Sequence, residues 1–247
     1  MCIRDRIAEE PFSTEPNQYQ AHKTLNQHRP KTLGLFGSWI RLNKSYKSST
    51  FIPENLTYSD PLYFQKEGGS VKATAGQENT FFRDGRCLVN PVDHSTEGTL
   101  YLSFVMETQR GATYQLRGVE LFNGTQSMTD CSFRIGVHDR TSQIKKKNVY
   151  CYRIFKAGIS KILEENIGEP TLFVAKFELS ANENDDAVTV WQNPDLSTGS
   201  EPTGGISHHG ANFIFDRISL SQQAKNLTTS WDEIRFGETF ASVTTEE

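Results

Sequence analysis

The 247-residue chain lacks any stretch approaching about eighteen consecutive apolar residues, which excludes a membrane-spanning helix. It has no Gly-x-Ser-x-Gly elbow, no phosphate-cradling loop and no dinucleotide fingerprint, so those chemistries have no signature here. No histidine pair stands at i, i+4 and no Cys-x-x-Cys occurs, which leaves the common zinc patterns unmet. Charge of one sign is not in excess. The 26 basic and 30 acidic residues give a net charge of −4, so no basic footprint argues for nucleic acid. The hydrophobic share is modest at 36%, yet 11% aromatic residues, mostly Phe, exclude a disordered chain.

A chain of this mass exposes about 11,000 Å² folded against about 40,000 Å² unfolded, so one large core can form without staples. β sandwiches run to ~200–250 residues as a single unit. The expectation is one domain over residues 7–245. Residues 1–6 stand apart: Met1-Cys2-Ile3-Arg4-Asp5-Arg6 has no apolar segment behind it and is no signal peptide. It resembles the translated adapter remnant that opens fragments assembled from environmental reads. The natural start, and any signal sequence with it, would then lie upstream.

From Gly98 onward the chain runs in short alternating segments. Leu100, Leu102, Phe104 and Met106 stand at period 2, as do Cys131, Phe133, Ile135 and Val137. Phe173, Ala175, Phe177 and Leu179 repeat the pattern. Ile214, Asp216, Ile218 and Leu220 follow with one polar interruption, then Ile234 and Phe236. Period 2 places alternate side chains on one face, so each run reads as a half-buried strand. Turn-formers separate them, including Asn123-Gly124, Asn193-Pro194-Asp195 and the stretch from Gly199 to Gly205. This spacing predicts an antiparallel sandwich or barrel.

Helix signals are few. Residues 159–165 read as two short turns ended by Asn166 and Gly168, or as a surface turn. The polar residues 15–31 read as an irregular lead-in loop. Setting Cys2 aside leaves Cys87, Cys131 and Cys151, an odd number with no complete disulfide framework. Cys131, in phase with Phe133, reads as a small core residue, with a Cys131–Cys151 bridge as the alternative. His208-His209 sits in a Gly-rich stretch as an exposed loop pair, with a metal or site role as the alternative. Lys145-Lys146-Lys147 reads as a solvated loop.

Longer phrases carry more information. The close, Trp231-Asp232-Glu233-Ile234-Arg235-Phe236-Gly237 followed by Thr239-Phe240-Ala241-Ser242-Val243, is the most specific. Before it stand Asp186-Ala187-Val188-Thr189-Val190-Trp191-Gln192-Asn193-Pro194 and Phe215-Asp216-Arg217-Ile218-Ser219-Leu220. Leu172-Phe173-Val174-Ala175-Lys176-Phe177, Gly98-Thr99-Leu100-Tyr101-Leu102-Ser103-Phe104 and Val119-Glu120-Leu121-Phe122-Asn123-Gly124 complete the set. In this order they resemble the LamG-like, concanavalin A-like jelly-roll domains of bacterial surface and secreted proteins. The likeness is dense after Gly98 and patchy before it, where Glu10-Pro11-Phe12 and Gly34-Leu35-Phe36-Gly37-Ser38-Trp39 carry it. Residues 13–33 and 138–168 are more polar than the pattern.

The resemblance implies an all-β, two-sheet antiparallel jelly-roll sandwich with few short helices. It implies a non-catalytic extracellular module, secreted or at the cell surface, that binds a glycan or cell-surface ligand, with no nucleic acid and no membrane span. Outward aromatics able to stack on sugar rings would be Tyr101, Tyr114 and Trp191. A structural calcium tying the first strand to the last would use Glu10 and Asp232, with backbone carbonyls supplying the remaining oxygens. The acidic loop of Asn182, Glu183, Asn184, Asp185 and Asp186 is a weaker calcium candidate. Two alternatives stay open. One is a polysaccharide-degrading enzyme, lyase or glycoside hydrolase, on the same fold. The paired carboxylates a retaining hydrolase needs are missing, while Tyr152-Arg153-Ile154-Phe155-Lys156-Ala157-Gly158 echoes an alginate lyase strand. The other is a structural surface domain that binds protein partners.

Overall fold

The alternating runs become strands in a computed structural model that describes residues 6–13, 19–28, 30, 32–43, 46–66, 68–111, 116–124, 131–138, 149–163 and 167–245. In chain order they are β1 (Arg6–Glu10), β2 (Leu35–Arg41), β3 (Thr50–Ile52), β4 (Ser70–Ala75), β5 (Thr80–Val92), β6 (Gly98–Thr108), β7 (Leu116–Phe122) and β8 (Cys131–His138). Then come β9 (Tyr150–Ile154), β10 (Ile159–Ile162), β11 (Thr171–Leu179), β12 (Asp186–Gln192), β13 (Ile206–Ala211), β14 (Phe215–Ala224) and β15 (Leu227–Gly237), closed by the one-turn α1 (Phe240–Thr244). Among the described residues they form two antiparallel sheets. One runs β13-β12-β11-β6-β15-β4-β3, with β1 also on β15; the other runs β10-β9-β8-β7-β14-β5-β2.

The inner faces carry the expected side chains. Leu100, Leu102, Phe104 and Met106 from β6 meet Phe173, Ala175 and Phe177 from β11 in one core with Phe133, Ile135 and Val137 from β8. Aromatic rings mesh there, with Phe104 and Phe173 stacked at 5.2 Å and Phe133 edge-on to Phe177 at 5.0 Å. Such pairs contribute beyond their buried area.

Two bulges change the expected phase. The register slips between Phe215 and Arg217, so Phe215 turns inward together with Ile218 and Leu220 while Asp216 stays half-exposed. A second slip sets Cys131 opposite Phe122, away from the row of Phe133. The Cys131 thiol is buried and pushed up by that burial, against the pull of Arg83.

The helical turns expected at 159–165 are not formed over residues 159–162, which make β10. Ile159 pairs with Ile154 across a hairpin whose Gly158 adopts the left-handed φ of 66°. The open edge of β9 offers backbone partners, and those outweigh a weak local helix pattern. Arg6, set aside with the opening residues, begins β1 and donates to the carbonyls of Ser242 and Thr245.

The core also holds an ion pair. Glu10 on β1 is fully enclosed and bonded to Arg86 on β5, with Tyr19 Oη 2.9 Å and Trp39 Nε1 3.3 Å from its Oε2. Burial pushes its carboxyl up, and Arg86 pulls it back.

Asp84 on β5 gives a measurable consequence. It accepts from Ser48 Oγ at 2.5 Å and from Ser49 N at 2.7 Å, yet burial pushes it up to about 6. An unfolded aspartate titrates near about 3.9. Between those values the native state holds a proton that the unfolded chain has lost, so stability rises as pH falls through 6. The full effect is about 3 kcal/mol. Urea midpoints at pH 7 and pH 5 should show a larger gain for the wild type than for Asp84→Asn. Equal gains would refute the role of Asp84.

Candidate functional site

The outer face of the larger sheet is covered. Leu56, Tyr58 and Tyr63 from the segment after β3, and Phe240 and Val243 from α1, pack on Tyr101, Val105, Leu172, Val174 and Trp191. A charged cluster pins this cover. Glu233 sits at a bulge of β15 with a left-handed φ of 53°, where one edge of the strand passes from β4 to β1. Its carboxylate accepts from Lys66 N at 2.6 Å, and Asp232 accepts from Leu56 N at 3.0 Å. Glu9 gathers Arg6 at 3.0 Å, Lys66 at 2.7 Å and Arg235 at 3.4 Å. Desolvation pushes Asp232 and Glu233 up, Asp232 further by its acidic neighbour.

Where β12 ends, residues 193–205 fold into a loop that frames a cavity of about 480 Å³. Each anchor of the loop has a visible cause. Asn193 takes the left-handed φ of 48° that asparagine tolerates, and its side chain accepts from Leu172 N at 3.0 Å. Asp195 accepts from Ser197 N at 2.9 Å in an Asx turn, which holds its carboxyl below the usual range. Trp191 Nε1 donates to the Pro202 carbonyl at 3.1 Å. Gly205 lies flat against the indole, where a Cβ would come within 2.7 Å of the ring. Glu201 closes the loop by accepting from Tyr101 Oη at 2.6 Å and pairing with Lys176 at 3.1 Å.

The cavity walls combine Gln192, Asn193, Thr198, Ser200 and Glu201 with the apolar Leu163, Val190, Pro194 and Ile206. Leu163 follows β10 and Ile206 opens β13, so the cavity lies where the edge strands of the two sheets approach. Its size falls in the usual range for small-ligand sites, about 300–1,000 Å³. Amides, hydroxyls and carboxylates beside apolar side chains can hydrogen-bond a polar ligand and pack against its apolar parts.

The structure brings Tyr101 and Trp191 together, but as supports. They are 6% and 5% exposed, each meeting Phe240 edge-on at 6.3 and 6.2 Å. Their ring faces are covered, and only Trp191 reaches the cavity. Tyr114 and Lys145 to Lys147 lie outside the described residues. Tyr152 faces the sandwich core beside Phe133. Cys131 and Cys151 are on neighbouring strands, but Cys151 pairs with Gly136, five residues along, and Cys87, Cys131 and Cys151 are all free thiols. The bridge alternative is therefore corrected by register.

The surroundings of Glu10 and Asp232 do not fit a calcium ion. Glu10 is held by the Arg86 guanidinium, and Asp232 is filled by backbone donors from Leu56 and Glu233. A calcium ion needs about six to eight oxygens, and among the described residues no group of three or more His, Cys, Asp or Glu could hold a metal. Asn193, which anchors the cavity loop, reads in the sequence only as a turn residue, and Glu201, which closes the loop, carries no local signal of that role. The turn residues at 193–195 and 199–205 marked the loop, but not its fold back onto Trp191.

No protein-family model matches the chain, and no curated protein matches it either. Solved structures do. The globular domain of T. cruzi calreticulin has a TM-score of 0.55 at 7% identity, over 83% of this chain and 85% of that one. The carbohydrate recognition domain of Emp46p, in a metal-free form, has a TM-score of 0.46 at 11% identity, over 81% and 99%. Winged bean acidic lectin, complexed with methyl-α-D-galactose, has a TM-score of 0.42 at 8% identity, over 69% and 87%. The calreticulin likeness and the two antiparallel sheets define the fold, a two-sheet jelly-roll sandwich of the concanavalin A-like type.

Phe240 should prove central to the cover. Phe240→Ala should cost about 3 kcal/mol of stability and shift tryptophan emission to the red as water reaches Trp191. Unchanged emission together with unchanged stability would contradict the packing of Phe240 on Trp191 and Tyr101.

Proposed function

We propose that this chain is a non-catalytic glycan-binding module, with the sugar seated in the cavity framed by residues 193–205. The observation that carries this reading is the cavity itself, where hydroxyl-binding side chains converge over Leu163 and Ile206. Carboxylate and amide groups bind sugar hydroxyls through directional hydrogen bonds, the charged ones more strongly, while an apolar floor accepts the C–H face. An exported, cell-surface setting belongs to the same reading and is supported by the resemblance to bacterial surface domains. Catalysis by paired carboxylates draws no support from Asp232 and Glu233, which are buried and held by backbone donors and Arg235.

A second reading, a surface domain that binds protein partners, is favoured by exposed apolar side chains near the outer strand of the smaller sheet. Phe36 is 69% exposed on β2, with Ile40 on the same strand and Val89 on β5 also open.

A glycan array separates the two. The glycan reading expects specific hits that disappear in Thr203→Trp, which fills the cavity, while the melting temperature is retained. An array without hits would overturn it and leave the protein-partner reading.

A further inference from the structure

Leu163 and Ile206 line the cavity next to the edge strands β10 and β13. On β10, Ile159 and Lys161 stand opposite Ile154 and Tyr152, two residues of the sandwich core, so both point to the inner face of that sheet. On β13, Ile206 and His208 stand opposite Val190 and Val188, also core residues, so they point to the inner face of the other sheet. These are the edge strands of the two sheets. Lys161 is two residues from Leu163, and His208 two from Ile206. Each is therefore about 7 Å further along the strand that lines the cavity. Lys161 and His208 are the next inward-pointing side chains across the same open side of the sandwich.

Charge distinguishes this inner end from the mouth. At the mouth, Glu201 is neutralised by Lys176 and bonded to Tyr101, and Asp195 is tied into its own turn. At the inner end, Lys161 and His208 have no carboxylate partner among the described residues. They act on one another instead. Partial burial, then the positive charges of Lys161 and His209, hold His208 below the usual histidine range. Tyr152, cross-strand from Lys161, is fully buried, and its hydroxyl has no hydrogen-bond partner. A lysine without a carboxylate partner among the described residues, together with a histidine ring able to donate an N–H, is an arrangement that an anion completes.

We propose that the inner end of the cleft, built from Lys161 and His208, is an anion subsite, so that the glycan bound here carries a carboxylate or a sulfate. This rests on the glycan-binding reading and names its ligand class. The sugar body occupies the cavity, where Glu201 is paired with Lys176 and Asp195 is bonded within its own turn. Its acidic substituent reaches between β10 and β13, where Lys161 supplies the charge and the His208 ring supplies a directed N–H.

Titration calorimetry of the full chain at pH 6 with three probes tests this: tetragalacturonate, a sulfated heparin tetrasaccharide and neutral cellotetraose. At least one acidic probe should bind about tenfold more tightly than cellotetraose, as expected for a charge-assisted contact. The two acidic arms show whether carboxylate or sulfate is preferred. Lys161→Met and His208→Gln, both at partly or fully exposed positions, should each reduce that preference and leave cellotetraose affinity unchanged. Equal or tighter binding of cellotetraose by the wild type would overturn the anion subsite while the glycan reading stands. A preference that survives both substitutions would also overturn it. Failure of all three probes to bind would remove the glycan reading together with the subsite.

Discussion

One buried ion pair joins the two sheets through their common core. Glu10 belongs to β1 on the larger sheet and Arg86 to β5 on the smaller one, and neither reaches solvent. Removing both charges from water is expensive, and the cost is met only because every polar atom is used. Arg86 also donates to the carbonyls of Pro30 at 2.6 Å and Gly37 at 3.2 Å, while Tyr19 and Trp39 complete the carboxylate. Removal of one partner from such a pair typically costs about 3–5 kcal/mol, because the other is left buried and alone. Around the pair, Tyr19 stacks on Phe51 of β3 at 5.1 Å, and Trp39 of β2 stacks on Phe12 at 6.1 Å. The β2–β3 side of the sandwich is thereby closed.

On the opposite side, between β10 and β13, no such closure occurs among the described residues, and that is where the cavity lies. A sandwich sealed on one side by charge and aromatics can leave the other open without losing register. The covers on the outer faces follow the same economy of buried polar groups. On the larger sheet, the carboxylates at the β15 bulge accept the backbone donors of the segment that crosses it. On the smaller sheet, Glu120 is bonded to both Arg83 and Arg134, and Arg83 also lies over the Phe122 ring at 4.0 Å. Both outer faces thus carry buried, paired charges, and the cavity lies at the edge.

Much of the fold could be read from side-chain alternation. β6, β8, β11 and β12 follow their period-2 patterns because both neighbours are strands and one face is core. Three things escaped that pattern. The bulges at Phe215 and Cys131 shift phase by one residue without a marker in the sequence. β10 looks locally helical and is a strand because of its neighbour. The strands before Gly98 are short, and their pairing is set by contacts far along the chain, such as β1 with β15. The site was only half visible. Trp191 lines the cavity, but Phe240, almost fifty residues later, packs on it and on Tyr101. A pattern within one strand carries no information about such a cover.

Hydrogen exchange with and without a bound oligosaccharide tests the central claim most directly, that ligand binds at the open edge between β10 and β13. The expected result is slowed exchange confined to residues 192–208 and to the β10 segment at 159–163. Protection concentrated instead on β2 and β5, near Phe36 and Val89, would contradict it.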